Sequence, residues 1–364
     1  MHQTPRSTID DLSRSAAPSE ISFFDTATLP TDAMRDAMRD ARLGDDMIGA
    51  DPTVNQLEAE VAALLGKQAA LFVPSGTMGN LIPLLVLCRP GDEAIVESEA
   101  HVVYYEAGGI AALAGVIPRA VPGRAGVLQP SVVEEYLRSP DQHFPRTTIM
   151  LLENTHNRAG GTVTTPDEMA GLREVCDRHK LSLHVDGARL FNAATALKIP
   201  AKDLAEHADS VTVCLSKGLS APAGSMLVGS AEYIAGARRA RKLLGGSMRQ
   251  AGVLAAAGLI AIHQQIQLLG DDHVRAAELA AELDCIDRIV VDNPSIRTNM
   301  VMMNIAATGF RANEFVARLA ELGIIASPLP PWTVRFVTHR HIGSKEIRRL
   351  TAAVSQIGSI EAAH

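Results

Sequence analysis

Two charged residues follow two short apolar segments in the middle of the chain. Asp186 comes directly after the segment 181–185, and Lys217 lies two residues after the segment 211–215. Between them, residues 189–204 carry apolar side chains at helical spacing. A strand–helix–strand crossover connects parallel strands, so we expect both charged residues at the carboxyl edge of one sheet. Open α/β folds bind their ligands at that edge.

A lysine and a carboxylate at such an edge suit pyridoxal 5'-phosphate (PLP). This cofactor needs a lysine amine for its Schiff base and an acid partner for its pyridine nitrogen. Lys217 would provide the amine and Asp186 the acid, while Arg189 could reach the phenolate oxygen of the cofactor or a substrate carboxylate. Small residues beside the lysine, Ser216 among them, would let the backbone approach the ring. The alternative is a structural Asp–Lys ion pair at a sheet edge.

A second candidate site follows the apolar segment 69–73, where the sequence continues Pro-Ser-Gly-Thr. Gly76 permits a tight turn and Thr77 precedes a helical pattern over residues 80–87. A strand that leads through such a turn into a helix directs free backbone N–H groups at an anion. We therefore expect the cofactor phosphate at Gly76 and Thr77. An ordinary capped turn is the alternative.

Three longer motifs carry a family resemblance. The segments HVDGARLFNA, CLSKGL and GGSMRQAG resemble those of the threonine aldolases, within the β-eliminating lyases of the fold-type-I PLP enzymes. The resemblance covers residues 25–339. It implies an α/β fold, with a large domain built on a mostly parallel seven-stranded sheet and a small C-terminal α+β domain.

The same resemblance implies an activity. Such an enzyme cleaves an L-3-hydroxy-α-amino acid to glycine and an aldehyde by retro-aldol chemistry. The substrate would be threonine, allo-threonine or a bulkier analogue such as phenylserine. The alternative is a PLP-dependent β-eliminating lyase or dehydratase acting on a 3-substituted amino acid, because it would use the same residues. A ligand-sensing regulator is disfavoured, since only a short polar segment precedes the catalytic motifs.

Two histidines acquire roles from the resemblance. His101 follows the apolar segment 93–96 and matches the histidine that stacks on the pyridine ring. His143 matches a histidine near the β-substituent of the substrate, although its sequence context alone indicates an ordinary loop residue. Either histidine, or a water held by them, would take the proton of the β-hydroxyl group. The sequence leaves this choice open.

Three basic residues also match positions of the family. Arg335 matches the arginine that holds the substrate α-carboxylate, a role it would share with Arg189, because a guanidinium binds a carboxylate through two hydrogen bonds. Lys242 and Arg249 match residues that serve the cofactor phosphate, partly from a neighbouring subunit. The alternatives are a surface arginine on a strand and a solvated basic helix face.

The chain departs from the family pattern at four places. Phe24 stands where the family has a serine, and Ile48 where it usually has a tyrosine. Met78 and Gly79 follow the phosphate-binding turn in place of Gln-Ala, and the segment 157–161 also differs. These changes predict a preference for a β-substituent bulkier or more apolar than the methyl group of threonine.

The length and pattern of the sequence predict three regions. Residues 1–20 are polar and predict a mobile tail, residues 21–270 a large PLP-binding domain, and residues 271–364 a small C-terminal domain. In the large region, we predict capping boxes at two helix starts, one at Thr53 and one at Thr165.

Composition excludes several classes of protein. The net charge is −7 with no basic block, which gives no electrostatic footprint for nucleic acid. The four cysteines are scattered and predict neither a metal site nor disulfides. No signal peptide or membrane-length apolar segment is evident, so we expect a cytoplasmic protein without a metal. Because fold-type-I sites are completed across subunit interfaces, the resemblance further implies a homotetramer, a dimer of dimers.

Overall fold

The computed structural model describes residues 20–292 and 298–359. Its thirteen strands, numbered along the chain, are β1 (Ile21–Ser22), β2 (Ala69–Val73), β3 (Glu93–Glu97), β4 (Ile117–Val121), β5 (Thr147–Glu153), β6 (Ser182–Asp186), β7 (Ser210–Cys214), β8 (Ser225–Gly229), β9 (Val290–Val291), β10 (Met300–Asn304), β11 (Ile324–Ile325), β12 (Ser327–Leu329) and β13 (Thr333–Val337). The predicted N-terminal tail lies outside the described residues, apart from residue 20.

Seven strands form the large sheet, in the order β2-β8-β7-β6-β5-β3-β4. β8 runs antiparallel to both of its neighbours, and the other pairs are parallel. The central strands are buried almost throughout, which explains why they read as continuous apolar segments rather than alternating ones.

The helices are α1 (Asp32–Arg39), α2 (Pro52–Leu64), α3 (Gly76–Leu87), α4 (His101–Tyr104), α5 (Gly109–Ala112), α6 (Pro130–Tyr136), α7 (Pro166–His179), α8 (Leu190–Leu197), α9 (Ala201–Ala205), α10 (Ala231–Leu243), α11 (Gly252–Ile260), α12 (Leu269–Asp284), α13 (Ala312–Glu321) and α14 (Ser344–Gly358). The predicted crossover is confirmed, because α8 and α9 connect the parallel strands β6 and β7. In this register Asp186 lies opposite Glu153 of β5 and Thr212 of β7.

The two predicted capping boxes had different outcomes. Thr165 caps α7, which confirms that prediction. Its hydroxyl accepts the Glu168 N–H at 3.4 Å, and the Glu168 carboxylate accepts the Thr165 N–H at 2.8 Å. The prediction at Thr53 is wrong. Asp51 caps α2 instead, because its carboxylate accepts the N–H groups of Thr53 and Val54 at 3.0 and 3.1 Å. Proline at the first helical position then fixes the start of the helix one residue after Asp51.

A second, smaller sheet has the antiparallel order β12-β13-β10-β9 and its own apolar core. The N-terminal segment also packs there. β1 pairs in parallel with β11, and Phe23 stacks edge-on against Phe336 at 5.5 Å between ring centroids. The first described residues of the predicted large domain thus contribute to the core of the smaller sheet. The division into domains stays a prediction.

One helical run joins the two cores. It extends over Gly252–Asp284 and combines α11, a π-helical turn, a 3-10 turn and α12. By length and composition it could cross a membrane, contrary to our expectation from the sequence, and 44% of its most apolar window is buried within the protein. Ala255 and Leu269 pack in the large core, whereas Leu279 and Leu283 pack in the small one. This packing accounts for its apolar character.

Candidate active site

Asp186 ends β6 at the carboxyl edge of the large sheet, and both of its oxygens accept hydrogen bonds. Oδ2 accepts the Asn80 amide N–H at 2.7 Å, and Oδ1 accepts the Ala188 backbone N–H at 3.0 Å. Asn80 lies on α3, and the same amide nitrogen also donates to Glu106 Oε1 at 2.8 Å. These bonds hold the carboxylate in one orientation while each oxygen keeps a lone pair for a further donor.

Lys217 lies three residues beyond the end of β7, the strand that pairs with β6 and Asp186. Its backbone carbonyl accepts the Thr28 hydroxyl at 2.7 Å and the Ser220 N–H at 2.8 Å, which anchors the turn. Its side chain reaches an open cavity of about 310 Å³. Within the described ranges, the amine of Lys217 has no hydrogen-bond partner. Ser216 lies beside it, with its hydroxyl 3.4 Å from Cys214 Sγ.

Arg189 is held by a carboxylate at one wall of this cavity. Asp25 accepts its Nε–H at 2.6 Å and an Nη2–H at 2.8 Å, and both side chains are buried. Burial alone would raise the pKa of Asp25, but the neighbouring guanidinium outweighs it and lowers the pKa to about 2. Asp25 therefore stays ionised, and its two bonds leave both N–H groups of Nη1 and one of Nη2 for other partners.

Nη1 of Arg189 and Nη1 of Arg335 donate to the same acceptor. Asn157 Oδ1 accepts from Arg335 Nη1 at 2.7 Å and from Arg189 Nη1 at 3.4 Å. Burial and the positive charge of Arg189 lower the pKa of Arg335 to about 10. Arg189, Arg335 and Lys217 line the cavity together with the carboxylate of Asp25, and the nearby carboxylate of Glu153 also acts on both arginines. The basic side chains on this wall favour an anionic ligand such as an amino-acid carboxylate.

His101 begins α4, four residues after β3 ends, and also lines the cavity. Its backbone N–H donates to Glu153 Oε2 at 2.6 Å, and its ring Nδ1 lies 2.8 Å from Glu106 Oε1. Burial alone would lower the pKa of His101, but the bond to Glu106 and the charges of Asp186 and Glu153 raise it. The other oxygen of Glu153 accepts the Asn157 N–H at 2.8 Å, so one carboxylate positions both cavity residues.

The predicted phosphate turn opens α3. Gly76 is the first helical residue, Thr77 the second, and Ser75 caps the helix by accepting the Met78 N–H at 3.2 Å. The first N–H groups of a helix have no partner within it, so this end can bind an anion. A Cβ on Gly246 would overlap Met78, which places the GGSMR segment beside the same turn.

The remaining predicted residues lie outside the cavity of their own chain. The Lys242 amine is 4.0 Å from Met47 Sδ, and Arg249 pairs with Asp45 at 2.9 Å on the surface. His143 is exposed in the turn that precedes β5, at the amino edge of the sheet, where its N–H donates to Asp141 at 2.8 Å. The structure does not bring these three residues together with Lys217.

The sequence reasoning missed the residues that position the site. No sequence pattern marks Asp25, Glu106 or Glu153 as functional, and Asn157 is marked only as the start of a segment that departs from the family pattern. Asn80 offered the clearest signal, because it interrupts an apolar helix, and a buried amide requires partners. Of the departures from the family pattern, Phe24 and Asn157 line the cavity, whereas Ile48 is 79% exposed.

Comparisons with known proteins identify the family of the chain. The sequence model of β-eliminating lyases matches residues 24–306. The chain belongs to the β-eliminating lyase family. A probable low-specificity L-threonine aldolase 2 of Arabidopsis thaliana is 43% identical to this member over 92% of the present chain and 95% of its own. The low specificity L-threonine aldolase of Escherichia coli K12 is 40% identical over 90% and 96%.

Solved structures extend the similarity of this family member to the fold. A threonine aldolase of Leishmania major aligns with a TM-score of 0.78 at 23% identity, covering 93% of this chain and 99% of its own. An aspartate aminotransferase of Thermus thermophilus aligns with a TM-score of 0.71 at 16% identity, covering 91% and 94%. The predicted family, the fold-type-I architecture, the lyase class and the dependence on PLP are confirmed.

Proposed function

We propose that this protein cleaves L-threonine, L-allo-threonine and bulkier L-3-hydroxy-α-amino acids to glycine and an aldehyde. The observation that carries the proposal is the cavity in which Lys217 lies beside two arginines that share one amide oxygen. Such a site offers an amine for the cofactor and a cationic wall for an α-carboxylate. Relatives named low-specificity L-threonine aldolases, at 40–43% identity, support it.

The side chains suit the cofactor and the substrate. Lys217 would bind PLP covalently, Asp186 would pair with its pyridine nitrogen, and the start of α3 at Gly76 and Thr77 would hold its phosphate. Bound PLP supplies an electron sink for the pair released when the Cα–Cβ bond breaks. Asp186 fits this role because Asn80 and Ala188 already fix its carboxylate.

Arg335 would make more of the hydrogen bonds to the substrate carboxylate than Arg189. Arg189 directs two of its donors at Asp25, whereas the hydrogen-bond acceptors of Arg335 within residues 20–292 and 298–359 are neutral, namely Asn157 and Ser327, with Ser327 Oγ at 3.4 Å. An incoming carboxylate would replace bonds from Arg335 to neutral acceptors with a charged, bidentate one. Arg189 would contribute through Nη1.

His101 is the base that this chain provides for the β-hydroxyl group. It lines the cavity beside Lys217, and a carboxylate raises its pKa. Of the two histidines left open by the sequence, only His101 lies at the carboxyl edge of its own sheet. His143 would act near a β-substituent only from a neighbouring copy, because it lies at the opposite edge.

We further propose a cytoplasmic homotetramer, a dimer of dimers. Ile48 and Leu243 are 79% and 78% exposed and lie beside Met47 and Lys242, which is unusual for large apolar side chains in water. A second copy on this surface would cover them and bring Lys242 and Arg249 to the cofactor phosphate. The four free cysteines suit a reducing compartment.

Product analysis tests the activity. Purified protein with PLP should release glycine and acetaldehyde from L-threonine, and glycine and benzaldehyde from phenylserine. Lys217→Ala should lose turnover by at least about a thousandfold, together with the visible absorbance of the bound cofactor. Lys198→Ala, on the surface end of α8, is the matched control. A keto acid and ammonia as the main products would contradict the proposal and identify the β-eliminating alternative.

The assembly needs a separate measurement. Sedimentation should give a mass four times that of the 38.7 kDa chain, and Ile48→Glu should shift it toward smaller species. Mixing inactive Lys217→Ala protein with inactive Arg249→Ala protein should restore part of the activity if sites are shared between subunits. A monomer with full activity would contradict the assembly but leave the chemistry intact.

A further inference from the structure

Behind the cavity, a hydrogen-bonded network connects two buried carboxylates. Asn80 Nδ2 donates both to Asp186 Oδ2, at 2.7 Å, and to Glu106 Oε1, at 2.8 Å. Glu106 belongs to no predicted motif role, lies in the segment between α4 and α5, and is almost fully buried. A buried carboxylate is costly unless a cation or several donors compensate it. The partner of Glu106 is therefore informative.

That partner is the ring of His101. Its Nδ1 lies 2.8 Å from Glu106 Oε1, and Nε2 has no hydrogen-bond partner among residues 20–292 and 298–359. Burial and the charge of Asp186 raise the pKa of Glu106, while its bonds to His101 and Asn80 oppose that shift. The ionised carboxylate accepts only, so in that state this bond places the ring proton on Nδ1 of the neutral imidazole. The lone pair of His101 is then on Nε2, in a ring that lines the cavity and is 29% exposed.

The rest of the network fixes the geometry of the two carboxylates. His184 lies behind Asn80, with Nε2 3.5 Å from Asn80 Oδ1 and Nδ1 2.9 Å from the Ser210 hydroxyl. Burial lowers the pKa of His184 to about 4, so it is neutral and carries one ring proton. A proton on Nε2 orients the amide oxygen of Asn80 toward His184 and its N–H groups toward the carboxylates. Asn80 thereby donates to the carboxylates of both Asp186 and Glu106 and reduces the repulsion between their negative charges.

We propose that Glu106 is a positioning residue of the aldol cleavage, which holds the proton of His101 on Nδ1 so that Nε2 accepts the proton of the substrate β-hydroxyl group. In this step the O–H bond breaks and the Nε2–H bond forms. The positive charge that develops on the imidazole ring is balanced by Glu106. The inference rests on the proposed role of His101 as the base, and it assigns Glu106 a part that no sequence motif indicated.

The charges around His101 come from several elements, and all of them act on its protonation. The titratable and charged groups that face the ring or line the same cavity are Glu106, Asp186, Glu153, Tyr105, Lys217, Asp25, Arg189 and Arg335. Glu106 alone among them bonds the ring directly. Removing its charge therefore lowers the basicity of His101 more than removing any other of these charges.

The chain offers a matched control. The Glu134 carboxylate lies 2.7 Å from His179 Nε2, close to the 2.8 Å of the Glu106–His101 contact, on the outer helices α6 and α7, away from the cavity. Its other oxygen accepts two bonds from Arg178. Glu106→Gln and Glu134→Gln both replace a histidine-bound carboxylate with an isosteric amide. Only the first should affect the reaction.

Nuclear magnetic resonance provides a readout independent of turnover. In full-length protein with labelled histidines, measured with and without PLP, the His101 signal is assigned by its loss in His101→Asn. We expect Glu106→Gln to lower the pKa of His101 by about one unit or more and Glu134→Gln to leave it unchanged. An unchanged pKa in Glu106→Gln overturns the inference, whatever the activity.

The kinetics of the loaded enzyme complete the test. Glu106→Gln should lower kcat about 10- to 100-fold, with KM changed less than about threefold, and should move the acid limb of the kcat/KM profile to lower pH. A shifted pKa with wild-type kcat overturns the role of Glu106. Full turnover in His101→Asn instead refutes the proposed base, a separate failure. If Glu106→Gln does not fold, Glu106→Asp, which keeps the charge, should give intermediate values.

Discussion

Asp25 and Arg189 are separated by 164 residues in sequence and form a bidentate ion pair, with bonds of 2.6 and 2.8 Å. The pair joins the N-terminal segment, which packs on the smaller sheet, to the carboxyl edge of the large sheet. Asn299 of the smaller region adds a third contact to Asp25 at 3.4 Å. One carboxylate therefore fixes the anion-binding arginine and connects the two cores at the active site.

Replacing Asp25 with asparagine should disturb both stability and substrate binding. The variant leaves a buried guanidinium uncompensated, which costs about 3–5 kcal/mol of unfolding free energy. Arg189 would also lose its fixed orientation, and we expect kcat/KM for threonine to fall by at least about tenfold, mainly through KM. Denaturant unfolding and initial-rate kinetics measure the two effects. Asp167→Asn, in an exposed helix turn, is the control, and wild-type values of both quantities in Asp25→Asn would contradict the prediction.

The sequence predicted the chemistry of the site better than its positioning. Asp186 and Lys217 could be located because the crossover rule brings the ends of parallel strands to one edge. Asp25 could not be paired with Arg189 in the same way. Their contact depends on how the N-terminal segment returns across the sheet, and no periodic pattern encodes that path.

Local signals at element ends were informative only where a single cap was possible. At Thr165 the hydroxyl and Glu168 were the obvious partners, and the structure has them. Before α2, the sequence ADPT offers two capping residues, and Asp51 prevails because the proline after it suits the first helical position. Glu106 and Asn80 carry polar groups into a buried network, and their partners come from distant elements, so spacing alone could not identify them.

Acidification should destabilise the protein through His184. Burial lowers its pKa to about 4 in the native state, against about 6.5 when unfolded. Above pH 6.5 both states are neutral and His184 contributes nothing to the pH dependence. Between pH 6.5 and 4 the His184 side chain of the unfolded state binds a proton before that of the native state. The free energy of unfolding therefore falls by up to about 3 kcal/mol. Below pH 4 the native state is protonated too, and the loss levels off.

Unfolding in denaturant between pH 4 and 7 measures this effect. His184→Gln should show a shallower decline of the unfolding free energy with falling pH than the wild type. The exposed His263→Gln should follow the wild-type curve. Parallel curves for His184→Gln and the wild type would contradict the prediction.

Arg335→Lys should separate charge from geometry at the carboxylate site. Lysine keeps the positive charge but cannot make two parallel hydrogen bonds, so we expect KM to rise about 10- to 100-fold with a smaller change in kcat. Arg311→Lys is the control, because Arg311 lies in the same region, outside the cavity lining, with its guanidinium over the face of Trp332 at 4.2 Å. Equal KM values for Arg335→Lys and the wild type would rule out Arg335 as the main carboxylate ligand.

Phe24 should set the preference for the β-substituent. It lines the cavity at the position where the family resemblance implies a serine, and its ring offers an apolar surface to an aryl group. We expect the wild-type enzyme to have a higher kcat/KM for phenylserine than for threonine. Phe24→Ser should reduce that ratio about 3- to 10-fold, because an aromatic contact contributes about 0.5–1.5 kcal/mol beyond its buried area.

The control is Leu43→Ser, because Leu43 is an exposed apolar residue outside the cavity, and this variant should leave the ratio unchanged. A wild-type ratio at or below one would contradict the predicted preference, and an unaltered ratio in Phe24→Ser would assign the preference to another wall of the cavity.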